Sequence, residues 1–170
     1  MRLFSGKVTP IAQEAVRALI AAKAIETEAP REVEADVASV LQAYLRADQE
    51  ASEAAKDHLA RTGKGQGDFA RTKRLFAEQK GLKVGDEMLD YLLDQVVELL
   101  LHSGSVDEVF AEDHELRRLM APSFKKHMAV DDEIEREVRG KLKHVTEGTS
   151  SWEIEYQKVM AEMRRKKGLG

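Results

Sequence analysis

DEMLDYLLDQVVELLLH, residues 86–102, is the most apolar stretch of the chain and decides its fold class. Read at 3.6 residues per turn, Met88, Leu89, Tyr91, Leu92, Leu93, Val96, Val97, Leu99, Leu100 and Leu101 cover most of a helix circumference. Only Asp90, Asp94 and Glu98 remain as a narrow acidic stripe. Such a helix needs neighbours on nearly every side. It is too short and too acidic to span a bilayer, which takes ~20 predominantly apolar residues. The expectation is an all-α protein with this segment, at about 86–102, as its central helix.

The flanking segments read as helices too. Thr9 and Pro10 look like a cap and first helical position, with Ile11, Ala15, Val16, Leu19 and Ile20 as an apolar stripe reaching about Ile25. Pro30 opens a second helix with Glu32 in its first turn and Val33, Val37, Val40, Leu41, Tyr44 and Leu45 on one face. Asp48 is placed to cap a third, whose apolar face of Ala51, Ala55 and Leu59 is thin. Three glycines in GKGQG, residues 63–67, mark a connection. It is not a phosphate loop, because no strand precedes it and no Gly-Lys-Ser/Thr closes it.

Asp68 then caps a basic helix, FARTKRLFAEQK, that Gly81 ends. Asp86 is the expected cap of the central helix. Ser105 with Glu108 forms a capping box for the next helix, which Pro122 should kink or end. Asp131 caps a helix carrying Ile134, Val138, Leu142 and Val145, stopped by Gly148. Ser150 with Glu153 opens the last, striped by Trp152, Tyr156, Val159, Met160 and Met163. That makes about eight helices and essentially no sheet.

The halves agree in order and kind. Asp48, Ala51, Ala55 and Leu59 match Asp131, Ile134, Val138 and Leu142 at a constant offset of 83, and KRLFAEQKGL (73–82) resembles QKVMAEMRRKKGL (157–169). The expectation is a duplicated unit forming two similar four-helix lobes, residues 1–82 and 83–170.

Charge is distributed unevenly. Residues 86–115 hold ten acids and no Lys or Arg, whereas 56–83 hold eight bases against three acids. Either these segments neutralise one another in the fold or the second presents a basic face to a polyanion. Cysteine is absent, which removes thiol nucleophiles, disulfides and cysteine metal sites and fits a reducing compartment. MRLFSGKVTP lacks the apolar run of a secretory signal, so a cytoplasmic location is expected.

RLFSGKV (2–8), VFAEDHELRR (109–118), PSFKKHM (122–128) and EGTSSWEIEYQKVMAEMRRKKGL (147–169) resemble a bacterial family known only as a domain of unknown function, the five-hundred-and-seventh of its series. The resemblance covers nearly the whole chain. It implies a small bacterial, cytosolic protein, and it brings no catalytic or ligand residues with it.

No catalytic constellation is legible. Glu-x-x-His pairs of the di-iron kind are missing, and the nearest approach, Glu98 with His102, is spaced by four. His127 and His144 lie in basic surroundings. Ser103, Ser105, Ser123, Ser150 and Ser151 sit at expected caps or turns, and no Gly-x-Ser-x-Gly elbow occurs. Neither enzyme activity nor a metal or other cofactor is expected.

Two classes of function remain: a scaffold binding another protein or a second copy, and a nucleic-acid- or ribosome-associated protein. The first would use Asp113, His114, Arg117 and Arg118, where charges one turn apart also fit simple ion pairing on a solvated face. The second would use Arg71, Lys73, Arg74, Lys80, Arg164, Arg165, Lys166 and Lys167. A pI near 5.8 and the lack of interleaved aromatics speak against it, so the protein-interaction class is preferred.

Overall fold

Thirty-three residues, Pro30–Thr62, form one unbroken helix in the computed structural model, which describes residues 1–146 and 150–169. Proline stands at its first turn and Gly63 ends it in the left-handed conformation at φ +66°. Two expected helices are thus one. Between Arg31 and Thr62 there is no glycine or proline, and Ala and Glu are the commonest residues, so nothing breaks propagation at Asp48. The Asp48 carboxylate caps nothing and instead lies 2.8 Å from Lys73 Nζ.

In chain order the elements are α1 (Val8–Ala21), β1 (Ile25–Glu26), α2 (Pro30–Thr62), α3 (Phe69–Gln79), α4 (Met88–His102), β2 (Glu108–Val109), α5 (Asp113–Met128), α6 (Val130–Lys141) and α7 (Ser150–Lys166). Single 3-10 turns, Ser5–Lys7, Gln66–Asp68 and Gly85–Glu87, lead into α1, α3 and α4. The fold is all-α, with seven helical segments among the described residues in place of about eight.

The 3-10 turns displace the expected caps. Helix α1 starts at Val8, so Thr9 lies inside it, and α4 starts at Met88, two residues beyond Asp86. Asp68 does precede α3, without a side-chain cap bond. Helix α1 also stops four residues short of Ile25. Lys23 takes φ +57°, and the Ala24 N–H donates to Leu19 O (2.9 Å), closing the helix end without a glycine to announce it.

That reversal delivers Ile25 and Glu26 to an antiparallel pairing with Val109 and Glu108. The N–H groups of Asp107 and Phe110 extend it, donating to Glu26 O and Ala24 O at 2.8 Å each. The capping box at Ser105 and Glu108 therefore does not form. Ser105 Oγ donates to Glu32 Oε2 (3.1 Å), Glu108 is in the strand, and helix starts again only at Asp113.

Helix α5 passes through Pro122 without ending there. Proline costs one backbone donor, and a helix packed on two neighbours tolerates that loss. The break falls instead at Ala129, a single residue between α5 and α6, which puts Asp131 inside α6 and not at its cap. The expected Gly148 stop and the Ser150–Glu153 side-chain box lie outside the described residues.

Four helices share the main apolar cluster: Ile11, Ala15 and Leu19 of α1, Val33, Val37 and Leu41 of α2, Leu92, Val96 and Leu100 of α4, and Leu116, Met120 and Phe124 of α5. Helix α1 packs on α2 and α5, and α4 packs on the same two, closing a ring of four. The thin face of Ala51, Ala55 and Leu59 is buried, with α3 against α2. A second cluster joins α6 and α7 through Ile134, Val138, Leu142, Met160 and Met163, with Phe4 and Leu169. Helices from both sides of residue 82 thus share one core, and the packing does not display two four-helix lobes.

Helix α4 is less enclosed than its composition suggested. Its acidic stripe faces solvent and Leu101 is 48% exposed, because α2 and α5 are the helices that cover it.

Candidate functional site

Among the described residues, Lys73, Lys80 and Lys167 of the eight cations expected to bind a polyanion are paired with carboxylates. Lys73 pairs with Asp48, Lys80 Nζ lies 2.5 Å from Glu50 Oε2, and Lys167 Nζ lies 3.4 Å from Glu137 Oε1. Each partner is on the helix against which the basic helix packs, α2 for α3 and α6 for α7. The hydrogen bond from Lys80 also holds the Glu50 carboxyl below its ordinary range. The Arg164 guanidinium lies over the Phe4 ring at 5.5 Å. Arg71, Arg74, Arg165 and Lys166 are exposed.

Of the acids at 86–115, Asp86, Glu87, Asp90, Asp94 and Glu98 are exposed, and among the described residues the ion pairing of the basic segment with this region is confined to Lys83 and Glu87 at 3.8 Å. The two segments therefore do not neutralise one another. They leave surfaces of opposite sign.

The other expected contact group sits at the start of α5. Asp113, His114 and Arg118 are exposed, with His114 Nδ1 3.5 Å from Glu112. Arg117 does not pair with Asp113 one turn away. It reaches across to Asp94 of α4 at 2.7 Å, because α5 lies directly against α4.

A cleft of about 240 Å³ opens between the end of α2 and α3. Leu75 and Phe76 form its apolar part, His58 meets the Phe76 ring edge-on with centroids 5.8 Å apart, and Lys64 and Arg71 stand at its rim. A second opening of about 370 Å³ lies where residues 1–3 cross α2, beside Tyr44 and the Asp48–Lys73 pair. Tyr44 donates its hydroxyl to Lys83 O at 2.9 Å, and burial pushes its phenol up from the ordinary range.

The matching family model spans residues 1–169 and is described as a protein of unknown function, DUF507. The chain belongs to the DUF507 family. No match is found among curated proteins.

Within this DUF507 chain, the polar group that residue patterns missed is buried. His127 is 8% exposed on α5, and its Nε2 lies 3.0 Å from Glu14 Oε1 of α1. Lys126 Nζ reaches the same oxygen at 3.0 Å. Helical spacing from Met120 and Phe124 places His127 on the inner face; the basic neighbours Lys125 and Lys126 obscured that. Ser123 is buried beside it in mid-helix rather than at a turn. Ser103 donates to Asp36 (2.9 Å) and Ser105 to Glu32, so both are structural links to α2.

The Glu14 carboxyl is held below its ordinary value, chiefly by the Lys126 hydrogen bond, with burial opposing and His127 adding. A lowered folded value means the ionised form favours the fold. That contribution is complete above the unfolded carboxylate value and is lost as pH falls through the folded one. Glu14→Gln is therefore expected to flatten the acid limb of stability below about pH 4.5, the ordinary value, with little change in slope above it. Urea unfolding at a series of pH values between roughly 3 and 7 reads this directly.

No group of three or more acids and histidines that could hold a metal occurs among the described residues. No helix among them is long and apolar enough to cross a membrane.

Proposed function

We propose that this DUF507 chain is a non-enzymatic helical interaction protein of the bacterial cytoplasm, acting through surfaces of opposite charge. The observation that carries this reading is the exposed acidic face of α4 alongside an α3 face where Arg71 and Arg74 stay exposed. Charged faces left open in one fold favour specific encounter more than raw affinity.

We further propose that the body arose by duplication. Each half runs 3-10 turn, helix, short strand, long helix and shorter helix, the second long helix being broken at Ala129. Buried Val33, Val37 and Leu41 stand 83 residues before buried Leu116, Met120 and Phe124. Glycines at left-handed φ end both halves, Gly81 before buried Leu82 and Gly168 before buried Leu169.

A second reading, nucleic-acid or ribosome association, is favoured by the placement of basic residues at both shorter helices. Salt separates the two. Neutralising several phosphates makes affinity fall steeply with salt, so retention of labelled RNA or DNA at ~50 mM salt, lost on converting Arg71, Arg74, Arg165 and Lys166 to Glu, would support the second reading. Absence of any binding at that salt removes it. For the preferred reading, affinity capture should recover discrete protein partners, and recovery of none from a strictly monomeric protein contradicts it.

A further inference from the structure

The cleft between α2 and α3 is open on its apolar side. Leu75 is 54% exposed, and neither Lys64 nor Arg71 has an acidic partner among the described residues. Asp68 is the single acid lining it among the described residues. Helix α3 packs chiefly on α2, so among the described residues no other element fills the cleft. An occupant must offer an apolar side chain surrounded by negative charge.

The same chain carries that shape elsewhere. In residues 107–113, DEVFAED, Phe110 is 59% exposed, the most exposed aromatic among the large hydrophobic residues at the surface. Four acids flank it and no base does. The segment is also held in place: Phe110 N–H donates to Ala24 O, Asp107 accepts from the Glu28 N–H at 3.0 Å, and α5 begins at Asp113. A knob already fixed in position loses little conformational freedom on docking.

We propose that the 107–113 segment of one copy docks, Phe110 foremost, into the α2–α3 cleft of a second copy. This rests on the interaction reading above and names its partner as the chain itself. Phe110 would meet Leu75 and Phe76, with Glu108 and Glu112 facing Lys64 and Arg71. Phosphates would match the rim but leave Leu75 uncovered; the acidic knob satisfies both parts of the cleft. Knob and cleft are different surfaces, so the contact either closes reciprocally in a two-fold dimer or runs head to tail into chains or a closed ring.

Light scattering on the full chain over a concentration series tests this. At ~50 mM salt the weight-average mass should rise with concentration, and at ~500 mM it should fall back toward the monomer as the charges are screened. Phe110→Ala and Arg71→Glu should each weaken association at least about tenfold, which corresponds to ~1.4 kcal/mol. The decisive arm is a charge exchange. A Lys64→Glu/Arg71→Glu chain and a Glu108→Lys/Glu112→Lys chain should each be monomeric alone and associate on mixing. Self-association untouched by Phe110→Ala, Arg71→Glu and the exchange overturns the docking geometry while leaving the interaction reading standing. A monomer at every concentration at low salt overturns the proposal outright, even if the cleft takes an acidic segment of another protein; affinity capture then judges the broader reading separately.

Discussion

Phe124→Ala is expected to lower the stability of the whole body by about 3–5 kcal/mol, the usual cost of emptying a large aromatic site in a core that relaxes only partly. Phe124 is fully buried on α5, in the cluster that α1, α2, α4 and α5 close between them. At ~2–4 °C per kcal/mol for a chain of this size, the midpoint should fall by roughly 6–20 °C. Ile134→Ala, equally buried, belongs to the α6–α7 cluster, and α6 has few contacts with α5. Its loss of about 2–5 kcal/mol should therefore be felt locally. Amide exchange should quicken in 130–141 and 150–166 while α1, α4 and α5 keep their protection. Exchange that quickens equally everywhere in the Ile134 variant would mean the two clusters unfold as one.

Gly6→Ala should destabilise by about 1–3 kcal/mol or more, as overpacking does when the obstacle cannot move aside. A methyl on Gly6 would land on the Gly168 carbonyl, a backbone group rather than a flexible side chain. The Gly6 N–H also donates to Leu169 O at 3.0 Å, and Leu169 is fully buried with Phe4, Ile134 and Met163. Pushing residues 6 and 168 apart thus lifts Leu169 from the second cluster, so the exchange signature should resemble that of Ile134→Ala. Gly65→Ala is the control: nothing lies within 4 Å of the added carbon, and it should be neutral or stabilise by up to ~1 kcal/mol through the unfolded state. Urea midpoints of the two variants check the contrast.

Helix identity was readable because each buried face repeats at one turn, as in Val33, Val37 and Leu41 or Ile134, Val138 and Leu142. Boundaries set by backbone conformation at ordinary residues were not. Lys23 closes α1 in a left-handed turn with no glycine to mark it, and Ser105 with Glu108 imitates a cap in what is a strand and turn. Asp48 looked like a start signal because short polar side chains favour caps, but a helix-forming surround carried α2 through it. The surface chemistry was half legible. Clusters of cations at 71–80 and 164–167 are plain in the sequence, yet Asp48, Glu50 and Glu137 neutralise part of them from helices that only the folded chain brings alongside. Glu14 and His127 lie far apart in sequence, and their pairing depends on α1 meeting α5.

The proposal that the chain works by protein contact through the α2–α3 cleft is tested most directly by placing a photoreactive amino acid at position 75 in living cells and characterising what becomes attached. Discrete protein adducts, the chain itself among them, are the predicted outcome. Adducts to nucleic acid alone, or none at all from a folded protein, would contradict it.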